Sequence, residues 1–205
     1  MNVLIIAEDF RKDQFILLPI ISAMFAKLGK KVNVRMLTDP LLGGIEKAMN
    51  RQQLRKIVEI YKWKVDLFLL CVDRDAEESR RQTLDGLEQH LNTLTCAPKC
   101  LIAENAWQEL EVWVLAGHDL PAEWSWQEIR RERDPKERYF DKVVENRRLQ
   151  DDPGGGRKTL ALEAARKYRR ILARCPEDVQ ILERRIERLL ATGTFLTWPQ
   201  ATEAA

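Results

Sequence analysis

Two aspartates, Asp73 and Asp75, stand one residue apart at the end of an apolar run, Leu67-Phe68-Leu69-Leu70-Cys71-Val72. A buried strand of that kind delivers both carboxylates to one edge of a sheet. An earlier apolar run, Val3-Leu4-Ile5-Ile6-Ala7, ends on Glu8 and Asp9. Two strands that release acids at the same sheet edge form a natural cage for a hard divalent cation such as Mg²⁺ or Mn²⁺. Each acid alone has a plainer use in a turn or as a helix cap. Asp75 in particular is placed to cap a helix containing Glu77 and Glu78. The joint pattern is what points to metal chemistry.

Glu111 is a further candidate ligand. In a helix spanning Asn105 to Ala116 its neighbours are Trp107, Leu110, Val114 and Leu115, all apolar. A carboxylate centred on an apolar face is costly unless a cation or hydrogen bonds compensate it. The alternative is a buried structural ion pair. Asp9, Glu104 and Glu109 are candidates for a supporting role around the ligands. His118 reads as a surface or hydrogen-bonded residue. Trp107, Trp113, Trp124 and Trp126 read as core rather than as base-stacking platforms.

The cations lie late in the chain. From Arg157 to Arg188 there are ten basic residues against five acidic ones, a local surplus of +5. Such a run is commonly a solvated helix face. Here it follows a turn-rich segment, Asp151-Asp152-Pro153-Gly154-Gly155-Gly156, expected to be a flexible loop. Glycine amides beside Arg157 and Lys158 would suit a phosphate, with Arg166 and Arg170 extending the contact. The spacing is not that of a P-loop.

The elements that must position these groups follow a βαβ rhythm. Strands are expected at Val3–Ala7, Lys31–Met36, Val65–Val72 and Cys100–Ala103. Helices are expected at Gln14–Leu28, Ile45–Trp63, Glu77–Leu94 and Asn105–Ala116. This predicts an α/β fold, a parallel sheet flanked by helices, over residues 1–120. Residues 121–205 form a helical C-terminal extension packed on that core, with helices at Trp124–Arg133, Thr159–Arg174 and Glu177–Thr192. Pro19 either lies inside the helix over Gln14–Leu28 or marks a first helical turn after a loop from Asp9 onward. The 205 residues are 45% hydrophobic and 32% charged, enough for a substantial core. The net charge of +2 makes any nucleic-acid surface local. Cys96 and Cys100 have no second close pair for a zinc site, so the four cysteines read as free thiols in a reducing cytoplasm. No apolar stretch approaches the roughly 18 residues of a membrane span, and no signal peptide is expected.

Glu8 after the first strand and Asp73-Arg74-Asp75 after the third resemble the TOPRIM pattern of a catalytic glutamate and an Asp-x-Asp motif. The glycine that usually follows the glutamate is replaced here by Asp9. A nearer likeness is to TOPRIM-like bacterial proteins of unknown function, related to nucleases of the overcoming-lysogenization-defect type. It rests on Glu111-Val112-Trp113-Val114-Leu115-Ala116, Gly156-Arg157-Lys158 and Cys175-Pro176-Glu177, in that order. The resemblance implies a Mg²⁺- or Mn²⁺-dependent phosphodiesterase, a nuclease acting on DNA or RNA, with a possible ATPase partner in phage defence. Glu8, Asp73, Asp75 and Glu111 would hold the metal, with Glu8 and Lys158 catalytic. The competing expectation is a non-catalytic binding or regulatory subunit that kept the fold. A receiver domain would need a lysine after a fifth strand, whereas Lys99 precedes the fourth. A haloacid-dehalogenase phosphatase would need its Asp-x-Asp on the first strand.

Overall fold

The computed structural model of the protein describes residues 1–95 and 100–193. Cys96, Lys99 and the segment Gln200 to Ala205 lie outside the described residues. Strands β1 (Asn2–Ile6), β2 (Asn33–Met36), β3 (Leu67–Asp73) and β4 (Cys100–Ala106) form one parallel sheet in the order β2-β1-β3-β4. The α/β expectation therefore holds. Ile5 lies opposite Leu69, and Leu69 opposite Ile102. Successive strand residues face opposite sides of the sheet, which gives two separate cores. Ile5, Leu69 and Ile102 belong to one, and Ile6, Leu70 and Ala103 to the other.

Helix α1 (Phe10–Lys27) lies on the first face and buries Ile16, Leu17, Ile20, Ile21, Met24 and Phe25. It begins four residues earlier than the sequence predicts, because Asp9 caps it by accepting from the Arg11 amide at 3.2 Å. Pro19 therefore falls inside the helix rather than in its first turn. The buried side chains on either side of it hold the helix against the usual proline penalty.

The second face is covered by α2 (Ile45–Ala48), α3 (Arg51–Tyr61) and α4 (Arg80–Asn92). The single helix expected over Ile45–Trp63 is two, because Asn50 starts a new one by accepting from the Gln53 amide at 3.0 Å. After β4 come α5 (Glu111–Ala116), α6 (Trp126–Arg131), a π-helical turn at Lys136–Phe140 and α7 (Asp141–Asn146). Then follow α8 (Arg157–Arg166), α9 (Tyr168–Arg174) and α10 (Val179–Thr192). The helix expected over Thr159–Arg174 is broken at Lys167. Leu160, Ile171 and Leu182 of these late helices share one core with α1 and α5. Among the described residues no helix is long and apolar enough to cross a membrane.

The outer edge of β4 is closed by side chains rather than by another strand. The Asn92 amide group accepts from the Leu101 amide at 2.6 Å and donates to the Leu101 carbonyl at 2.9 Å. Glu88 accepts from the Ala103 amide at 2.7 Å. Arg81 and Arg185 donate to the Ala103 carbonyl at 3.0 and 3.1 Å. Every one of these contacts occupies a backbone group that an open edge would leave unpaired.

Helices α5 and α8 meet at Gly117. A Cβ there would stand 2.5 Å from Ala164 Cβ and 2.6 Å from its Cα. Gly117→Ala is expected to force the helices apart and lower stability by about 1–3 kcal/mol, measured from the urea midpoint. A midpoint equal to wild type would show that the contact yields without cost.

Candidate metal centre

Strand order reverses direction between β1 and β3: the chain goes from β1 outward to β2, then returns to β3 and on to β4. In open parallel sheets ligands bind outside the carboxyl ends of the strands at such a point. Glu8 leaves β1 there, and Asp73 ends β3. The Asp73 amide donates to Glu8 Oε1 at 3.0 Å, and Asp73 Oδ1 accepts from the Leu110 amide at 2.8 Å. Glu111, the first residue of α5, follows directly. Three crossover loops are thus tied together through two carboxylates.

Asp13 belongs to the same cluster and carries no mark in the sequence beyond its place one turn into α1. It accepts from the Asp9 amide at 3.0 Å. Burial pushes its carboxyl up to about 7, reinforced by the charges of Glu111, Glu8 and Asp9. Burial also raises Asp73 well above the ordinary range, together with the charges of Glu111, Glu8 and Asp13. Glu8 is raised chiefly by burial, against the pull of the Asp73 amide. Glu109 accepts from the Lys136 amide at 2.8 Å, and burial followed by the Glu111 charge lifts it to about 7.

The other expected residues are placed differently. Asp75 is exposed at the rim, 3.6 Å from Arg80 Nη2, and Ser79 rather than Asp75 stands at the start of α4. Asp75 and Ala76 have φ of 53° and 55°, and Gln108, which pins them, has φ of 72°. Its carbonyl accepts from the Arg74 amide at 2.8 Å, and its Oε1 from the Ala76 amide at 2.9 Å. Left-handed non-glycine residues cost on the order of 1–3 kcal/mol and concentrate at functional sites. Asp9 is a helix cap paired with Arg11 at 3.1 Å. Glu104 is not at a strand end, because β4 runs on to Ala106. It is buried against Arg81 at 3.0 Å and Arg185 at 3.6 Å and forms part of the closed edge. The helix thought to place Trp107 beside Glu111 starts only at Glu111, so Trp107 lies in the preceding turn.

The basic residues do not gather into one phosphate site. Arg157 enters the acidic cleft, with Nε 2.9 Å from Glu111 Oε1 and Nη1 2.8 Å from the Gly154 carbonyl. The buried ion pair weighed for Glu111 is therefore present. Lys158 and Arg166 line a separate, mostly apolar groove of about 620 Å³ between α1 and α8, with Phe15, Leu18 and Leu162. Arg170 pairs with Asp119. The glycine segment is a bonded turn rather than a flexible loop. The amides of Gly155 and Gly156 donate to the Asp152 carbonyl, and Gly156 is buried. Those two amides are not available to a phosphate. His118 has a ring nitrogen 2.9 Å from the Leu160 carbonyl. Cys71, Cys100 and Cys175 are free and buried.

The donor set suits a hard cation in its chemistry. Among the described residues, Glu8 Oε2, Asp13 Oδ1 and Asp73 Oδ2 accept no hydrogen bond from the protein, and their carboxylates repel one another. As the side chains stand, no group of three or more acids, histidines or cysteines among the described residues forms a ready ligand set. Arg157 supplies the positive charge instead. Comparison of the chain with family models, curated proteins and solved structures finds no match in any of the three.

Proposed function

We propose that the protein is a TOPRIM-like, Mg²⁺- or Mn²⁺-dependent phosphodiesterase acting on nucleic acid. One observation supports this most: the carboxyl groups of Glu8, Asp13, Asp73 and Glu111 are brought to the switch point of a parallel sheet by the elements that follow β1, β3 and β4. Glu8, Asp13, Asp73 and Glu111 would hold the metal, with Asp75 at the rim. When bound, it supplies Lewis-acid stabilisation of a phosphoryl oxygen and a water of lowered pKa. Glu8 and Asp73 each hold one oxygen on a backbone amide and leave the other without a protein hydrogen bond. Arg157 places a guanidinium beside the carboxylates, where phosphate charge would develop. Lys158, on its separate groove, is not used.

The Arg157–Glu111 pair also favours a second reading, a non-catalytic subunit of an ATPase-containing complex, since it neutralises part of the cleft without metal. Thermal melts with EDTA, Mg²⁺ and Mn²⁺ separate the two. Metal is expected to raise the melting temperature. Asp73→Asn is expected to melt higher than wild type in EDTA, because it removes a raised, repelled carboxylate, and to lose the metal response. Its cleavage of single- and double-stranded substrates in Mn²⁺ should fall about 10²-fold or more. A wild-type protein whose melting temperature ignores both metals would support the subunit reading.

A further inference from the structure

A second cleft opens beside the acidic one. Trp107 stands at the end of β4, and the guanidinium of Arg74, the central residue of Asp73-Arg74-Asp75, lies 4.2 Å from its ring centroid. Beyond Trp107 is a cavity of about 380 Å³, walled by Trp107, Trp126, Arg130, Arg131, Arg174 and Glu177. Its walls are built rather than incidental. Buried Asp178 accepts from the Trp107 amide at 2.9 Å and from Trp113 Nε1 at 2.8 Å, and it pairs with Arg130 at 3.2 Å. The Arg130 guanidinium carbon is 5.4 Å from the Trp107 centroid. Arg174 lies 5.3 Å from the Trp126 centroid, and Trp126 Nε1 donates to the Arg174 carbonyl at 2.9 Å. Trp107 and Trp126 are therefore not simply core, as their sequence context leads one to expect; Trp113 alone of the four is fully buried.

The chemistry of these walls is specific. Arg74 and Arg131 have no carboxylate partner among the described residues. Indole-backed guanidinium planes stack on nucleobases and hold phosphates at their edges. A duplex keeps its bases stacked and presents no face to a concave aromatic wall, whereas a single strand does. We propose that this cleft is a subsite for single-stranded nucleic acid, continuous through Arg74 with the acidic cleft. It deepens the phosphodiesterase reading, on which its place beside a reaction centre rests. A strand with one phosphate at the acids passes over Arg74 and Trp107 and lodges a flanking base between Trp107 and Trp126.

The test is binding in EDTA, so that no metal contributes. Fluorescein-labelled dT12 and a 12-base-pair duplex are titrated by anisotropy, and unlabelled dT12 by tryptophan quenching. Wild type is expected to bind dT12 more tightly than the duplex, with quenching. Trp126→Leu should lose most of the quenching and weaken dT12 binding about fivefold or more, as removal of a stacking partner does. Arg131 is exposed, so Arg131→Glu should fold normally. It should weaken binding about tenfold and flatten the salt dependence. Equal affinity for duplex, equal competition by inorganic polyphosphate, or dT12 binding untouched by both cleft variants would each overturn the subsite. A missing metal response alongside intact, cleft-dependent dT12 binding would remove the phosphodiesterase reading and leave the subsite standing.

Discussion

Arg185→Ala is expected to lower folding stability by about 3–5 kcal/mol, the range for removing one partner of a buried ion pair. Arg185 is fully buried, with Nη2 2.5 Å from Glu88 Oε2 and Nη1 3.1 Å from the Ala103 carbonyl. Its loss leaves Glu88 buried without its principal cation, and burial already raises the Glu88 carboxyl against the pull of Arg185. It also removes one of the two guanidiniums bonded to the Ala103 carbonyl. The double variant Arg185→Met with Glu88→Gln removes both charges and should recover part of the loss. Urea melts of the three proteins measure this. A single-variant loss below about 1 kcal/mol would show that water replaces the guanidinium and that the edge is not held by charge.

The second large effect is a dependence of stability on pH in the absence of metal. Asp13 has a folded pKa of about 7 against a reference of 3.8. The native state therefore holds its proton where the unfolded chain has released it. Its stabilisation is complete below about pH 4 and is lost as pH rises towards 7. Three units correspond to at most about 4 kcal/mol. Asp73, Glu8 and Glu109 act in the same direction. His118, whose pKa burial lowers, acts oppositely, gaining stability as pH rises through its range. The comparison of wild type with Asp13→Asn cancels that contribution. Chemical denaturation in EDTA should show the variant gaining on wild type steadily from pH 5 to pH 7.5. A constant difference across that range would mean that Asp13 titrates normally and is not crowded by the other acids.

The sheet was legible because three of its strands are continuous apolar runs and the fourth, the edge strand β2, alternates polar and apolar residues. The strand-end acids Glu8 and Asp73 followed from the same runs. Glu104 was misplaced for a physical reason. Glu104-Asn105 looks like a strand end, yet Arg81 and Arg185 compensate the charge and let β4 continue. Neither arginine is near it in sequence. Asp13 was missed because the helix was expected to begin only at Gln14, which left Asp13 in a loop, and only the fold brings Glu8, Asp73 and Glu111 around it. The basic residues read as one group because α8 and α9 look like a single helix in sequence. The break at Lys167 and the tight glycine turn send Arg157, Lys158 and Arg170 to three different places.

The closed edge of β4 also sets an order of events during synthesis. All four strands are complete once Ala106 has been made, and α4 already carries Asn92, Glu88 and Arg81 to the edge. The last cation, Arg185, comes 82 residues after the carbonyl it serves. Until α10 is made, Glu88 lacks its buried partner and the β4 edge is held by Asn92, Glu88 and Arg81 of α4 alone. A nascent chain in that interval holds its strand border by fewer charges, and the apolar surface that α10 covers is still open to its neighbours. Chains stalled before Val179 should therefore be more prone to self-association than chains released after Thr192.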